Sequence, residues 1–120
     1  MEKDSIHFID FICLTKKRMC LGIEGNYNKF ISRNQLPQLQ NLTLFTNDNR
    51  FSFKIVSFSL YIKQDTGVAF FNVKGTEIPK EAQRIMIKLK ESQWISLDNV
   101  KVIGPDGVRT IEGKSFEIKN

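Results

Sequence analysis

Between residues 51 and 63 hydrophobic and polar positions alternate, but in two phases. Phe51, Phe53 and Ile55 fall on one face of an extended chain, and Val56, Phe58, Leu60 and Ile62 fall on the other. Successive side chains of a strand point to opposite faces, so a strand buried on one side keeps one phase. The break at Ile55-Val56 therefore requires a bulge, or a strand buried first on one side and then on the other, as where two packed sheets share a corner. No other stretch is as long or as apolar. The pattern predicts the central strand of a small β-sandwich here.

The rest of the chain is read around that strand. Ile6–Leu14 is apolar on both faces and reads as a strand, with Thr15–Arg18 as a polar turn and Met19–Ile23 as the returning arm of a hairpin. Phe30–Asn41, with Pro37 inside it, reads as an irregular connection; Leu42–Phe45 is a short strand, and Asn47-Asp48-Asn49 a turn. Gln64–Gly67 turns the chain into a strand at Val68–Val73. The period then changes. Ile78, Ala82, Ile85, Met86 and Leu89 recur at three- and four-residue spacing, which predicts a helix over about 79–90 with one buried stripe. Pro79 suits its first turn, and Lys80, Arg84 and Lys88 form a second stripe, a basic one. Trp94–Ile103 alternates again, with Ile95 and Leu97 in one phase and Val100 and Val102 in the other across Asp98-Asn99. Gly104-Pro105-Asp106-Gly107 is a structural turn: Pro presets φ, Asp bonds locally and Gly accepts positive φ. Val108–Glu112, then Phe116 and Ile118, return as strands.

Composition narrows the class. The 120 residues suffice for a single domain, 1–120, with its own core. A hydrophobic content of 41% and a charged content of 26% exclude a disordered chain. No apolar run approaches the ~20 residues of a membrane-spanning helix. Glu2 and Asp4 stand where a signal peptide is positive, so none is expected. The net charge of +5 is spread along the chain rather than gathered in a basic arm.

The order of features over about residues 30–120 resembles the C-terminal domain of the GldM/PorM family, from Bacteroidota gliding motility and type IX secretion. The residues that carry it are Ser32 and Leu36, Phe51-Ser52-Phe53 running into Val56-Ser57-Phe58, and Lys74-Gly75. They continue through the helix with Ile85 and Leu89, Val100 to Arg109 with its GPDG turn, and Ser115 to Lys119. This chain departs from the family in having Ser92-Gln93 after the helix, where Gly-Asp is usual. Full-length members of the family also carry an N-terminal membrane helix and further periplasmic domains. The resemblance implies a β-sandwich, a periplasmic location, dimerisation, and contact with protein partners of the cell envelope.

Residues able to carry other chemistry have plainer readings. His7 is the only histidine, and a zinc site needs three or four Cys, His or carboxylate ligands, so it reads as structural. A nucleophilic triad would have to use the same His7, without any nucleophile-turn motif. Cys13 and Cys20 flank the expected hairpin turn symmetrically and read as packed free thiols, the alternative being a disulfide in an oxidising compartment. Asn47-Asp48-Asn49 opens like a calcium loop but lacks its glycine and distal glutamate. The glycines never cluster as a phosphate cradle. Lys80, Arg84 and Lys88 are the candidate interaction face, against the plainer reading of a solvated helix side.

The expected fold is all-β, an Ig-like β-sandwich of about seven strands with one helix. The expected function is a non-enzymatic protein–protein interaction module of the bacterial cell envelope, with no cofactor, metal or small-molecule substrate. The second reading is a small basic nucleic-acid-binding β-domain, which rests on the net charge and predicts binding that weakens as salt rises.

Overall fold

The computed structural model describes residues 19–46 and 53–120. The expected strand at Ile6–Leu14, its turn, His7, Cys13, the Asn47-Asp48-Asn49 turn and Phe51 lie outside them. Among the described residues there are eight strands, and the architecture is all-β. They are β1 (Met19–Ile23), β2 (Phe30–Ser32), β3 (Leu42–Thr46), β4 (Lys54–Gln64), β5 (Gly67–Lys74), β6 (Trp94–Gly104), β7 (Gly107–Ile111) and β8 (Lys114–Lys119). A 3-10 helix spans Arg33–Gln38 and an α-helix, α1, spans Lys80–Met86.

Strands β1 and β3 form a two-stranded antiparallel sheet. The other six form one sheet in the order β2-β8-β6-β4-β5, with β7 also on β6. A single core joins the layers. It gathers Leu21 and Ile23 from β1, Leu36 from the 3-10 helix, Ala82 and Met86 from α1, and one face of the large sheet: Phe58, Leu60, Ile62, Ile95, Leu97, Phe116 and Ile118.

The phase breaks in the two long strands are bulges, and they answer one another. Ile55 pairs with Val102 and Ser57 with Lys101, so Val56 is the extra residue on β4. Ser59 pairs with Asp98, so β6 takes three steps where β4 takes two, and Asn99 there adopts a left-handed φ of +48°. Asn is among the few residues that tolerate that conformation. Each bulge restores the face: Ile55 and Phe58 are both buried, as are Leu97 and Val100. Val56 does not join the Phe58 face as its phase suggested. As the bulged residue it points outward, 39% exposed.

At the β6 bulge the neighbour on one side changes. β8 pairs with Trp94–Leu97, and β7 pairs with Val100–Gly104. Gly113, between β7 and β8, crosses this point so closely that a Cβ there would lie 2.3 Å from the Leu97 carbonyl oxygen.

Three expectations are corrected. Phe30–Asn41 is not irregular: β2 pairs in parallel with β8, and the Ser32 N–H donates to the Gln35 side chain at 3.0 Å to start the 3-10 helix. Three residues are too few to show a period. The helix ends at Met86, because the next bonds, Lys88 N–H to Ile85 O and Leu89 N–H to Met86 O, tighten to three-residue spacing. Its buried stripe is Ile78, Ala82, Met86 and Leu89, with Ile85 half-buried. Cys20 is buried and disulfide-bonded, not a free thiol. The small stability gained by closing a short loop, which favoured the thiol reading, does not decide whether two sulfurs meet.

Candidate interaction face

Because β4, β5, β6, β8 and β2 alternate in register, the large sheet turns a second face away from the core. One cross-strand row on it runs Val68–Lys63–Trp94–Glu117–Phe30, one residue from each of five strands. The adjacent row runs Phe70–Tyr61–Ser96–Ser115. A water-facing sheet surface is ordinarily polar at such positions. Here Val68, Phe70 and Phe30 are 52%, 50% and 47% exposed, with Trp94 and Tyr61 half-buried beside them.

The rows are held by their own contacts. The Tyr61 and Phe70 rings lie 4.8 Å apart between centroids, tilted by 44°. The Ser96 and Ser115 hydroxyls are bonded at 3.0 Å. Lys119 places its ammonium 4.8 Å above the Phe30 ring while standing 3.5 Å from the Glu117 carboxylate. A trough lies between the Trp94 and Phe30 rings. Lys29, Phe30, Ser92, Trp94, Ser115 and Glu117 line it, enclosing about 510 Å³. The face offers flat ring surfaces, two hydroxyls and a few charges. No group of three metal-ligating side chains occurs among the described residues.

The sequence-derived candidates fall elsewhere. Lys80, Arg84 and Lys88 are all exposed, on α1 and the turn after it. That element covers the opposite face of the sheet, so the basic stripe and the aromatic rows do not meet. Gly104, Pro105, Asp106 and Gly107 join β6 to β7 with Gly104 paired to Gly107, and Gly107 has the expected positive φ, +105°. Beside this turn Ile103 and Val108 form a smaller exposed apolar pair. The ring-bearing face itself was missed. Its signal was present in β5, where Val68 and Phe70 occupy one phase while Ala69, Phe71 and Val73 occupy the other.

The chain matches no protein-family model and no curated protein.

Proposed function

We propose that this domain is a non-enzymatic protein–protein interaction module of the bacterial cell envelope. It would serve in the manner of the C-terminal GldM/PorM domain that it resembles, with a periplasmic location and an Ig-like sandwich plan. The observation that carries the reading is the sheet face on which Val68, Phe70 and Phe30 stand exposed beside the half-buried Trp94 and Tyr61, with Lys63 and Glu117 among them. Large apolar side chains gathered on an exposed face mark a contact surface. Two details support the resemblance. Ser92 stands where the family usually has glycine, and its φ of +76° is one that glycine accommodates. The bonded state of Cys20 suits an oxidising compartment.

The same face gives the nucleic-acid reading its one specific observation, since Lys63 and Lys119 stand among the rings. Rings interleaved with cations are how single strands are held. Trp94 is the only tryptophan and lies on this face, so its fluorescence separates the readings. Titration with an oligothymidine twelve-mer at low salt is expected to leave it unchanged. Quenching that falls steeply with added salt would overturn the protein-partner reading in favour of a nucleic acid. For the module itself, a photo-crosslinking residue at Phe30 or Trp94 should capture a discrete envelope protein in cells, whereas one at Arg84 should not. Equal capture from both sides would remove the face from the proposal.

A further inference from the structure

We infer that the free edge of β5 is a strand-addition site. It would take an extended segment of a partner protein, apolar at alternate central positions and carboxylate-bearing at both ends. The inference rests on the interaction-module reading and names where and how the partner binds.

The sheet has few edges that could accept a strand. β2 offers three residues. β7 offers five, among which Arg109 is engaged with the Phe53 ring at 5.5 Å and the Met19 sulfur at 3.9 Å. β5 offers eight, Gly67 to Lys74, paired with β4 at every position and without a register shift. Among the described strands β5 pairs with β4 alone. Its other side is thus a regular row of N–H and C=O groups. Native edges are usually blocked by lysines, prolines or bulges. From Gly67 to Val73 there is no charge and no proline. Apolar side chains stand on both faces of the edge, with Val68 and Phe70 outward in phase with Asn72, which accepts a bond from the Ser59 hydroxyl at 3.0 Å, and Ala69 and Phe71 half-buried against the core. An added strand would cover side chains on each face as well as pair its backbone, which is the way peptide strands augment sheets.

Charge selects the segment. Lys74 ends the strand, with Lys101 in the same cross-strand row through Ser57. At the other end Lys63 lies opposite Val68. The nearby acid, Asp65, is already held by Lys90 at 3.6 Å and by the Gln93 amide at 2.8 Å. Both ends of an uncharged strip are therefore positive. An acid-flanked segment complements this, and a lysine-flanked one is repelled.

The test uses two synthetic peptides, acetyl-EEVTVTVEE-amide and acetyl-KKVTVTVKK-amide, with the amide resonances of the 15N-labelled protein as readout. The acidic peptide is expected to shift β5 amides, slow their hydrogen exchange, and bind at least tenfold more tightly than the basic one. Lys74→Glu should abolish that preference, and Phe70→Asp should weaken binding at least tenfold, both with unchanged far-UV circular dichroism. Arg84→Glu should have no effect. Shifts confined to Trp94 and Phe30 would overturn the edge while leaving the interaction module standing. A protein already dimeric, and made monomeric by Phe70→Lys, would overturn it in favour of a second copy. No response from β5 overturns it outright.

Discussion

Replacing Gly113 by alanine tests the way β7 gives place to β8 beside the β6 bulge. The added Cβ would lie 2.3 Å from the Leu97 carbonyl oxygen and 3.3 Å from the Asp98 Cα. The first distance is about 1 Å inside ordinary contact, and the obstacle is backbone in the middle of a six-stranded sheet. Nothing flexible can swing aside. Either β6 or the Gly113 segment must move, and the adjacent Lys114–Leu97 pairing moves with it. Overpacking of this kind costs about 1–3 kcal/mol. One weakened ladder bond adds about 1 kcal/mol. The expected loss is therefore roughly 2–4 kcal/mol, and at about 4 °C per kcal/mol the Tm should fall by roughly 8–16 °C. Urea unfolding followed by Trp94 fluorescence, with the m-value checked for constancy, measures it. A loss below about 1 kcal/mol would mean that the close crossing is not as described.

Other predictions concern single elements. Leu89→Ala should cost about 2–5 kcal/mol, because Leu89 is 1% exposed in the core, whereas exposed Lys88→Ala should stay within about 0.5 kcal/mol; similar losses would place the helix stripe on the wrong face. Gly107→Val should cost at least ~1 kcal/mol through φ alone, since a Cβ there meets nothing within 4 Å, and Asp106→Asn should be nearly silent. An unchanged Tm for the valine variant would refute the turn assignment. Ser92→Gly relieves a left-handed serine and should range from neutral to about 1 kcal/mol stabilising in chemical denaturation; a clear destabilisation would show that the serine side chain contributes something else. Finally, thiol titration of the unfolded, unreduced protein should find no free sulfhydryl, and one at Cys20 would contradict its bonded state.

Much of the fold was legible wherever a local pattern carried it. Both phase breaks, at Ile55-Val56 and Asp98-Asn99, stood in the pattern; at the first a bulge or a passage between two sheets was expected, and both are bulges within one sheet. The turn from Gly104 to Gly107 could be read from residues that tolerate its dihedrals. Pairings between distant segments left no such trace. Phe30, Ile31 and Ser32 pair with Glu117, Ile118 and Lys119, and nothing in either triplet names the other. The aromatic face was hidden differently. Phe30, Trp94, Tyr61 and Phe70 look like core residues in a one-dimensional pattern, and only the register showed that they share the water-facing side.

The place of β8 between β2 and β6 also sets an order of events in folding. The hairpins β4–β5 and β6–β7 close over short separations and can form early. The β2–β8 pairing joins the two strands farthest apart in sequence within this sheet, so its loop-closure entropy is the largest there. Domains dominated by such distant pairings fold on the order of milliseconds to seconds. Until β8 inserts, the Trp94–Leu97 edge of β6 stands open, and the core lacks Phe116 and Ile118. β8 covers that edge over the short separation from Leu97 to Lys114, so it is the joining of β2, across the largest closure in the sheet, that chain entropy places last.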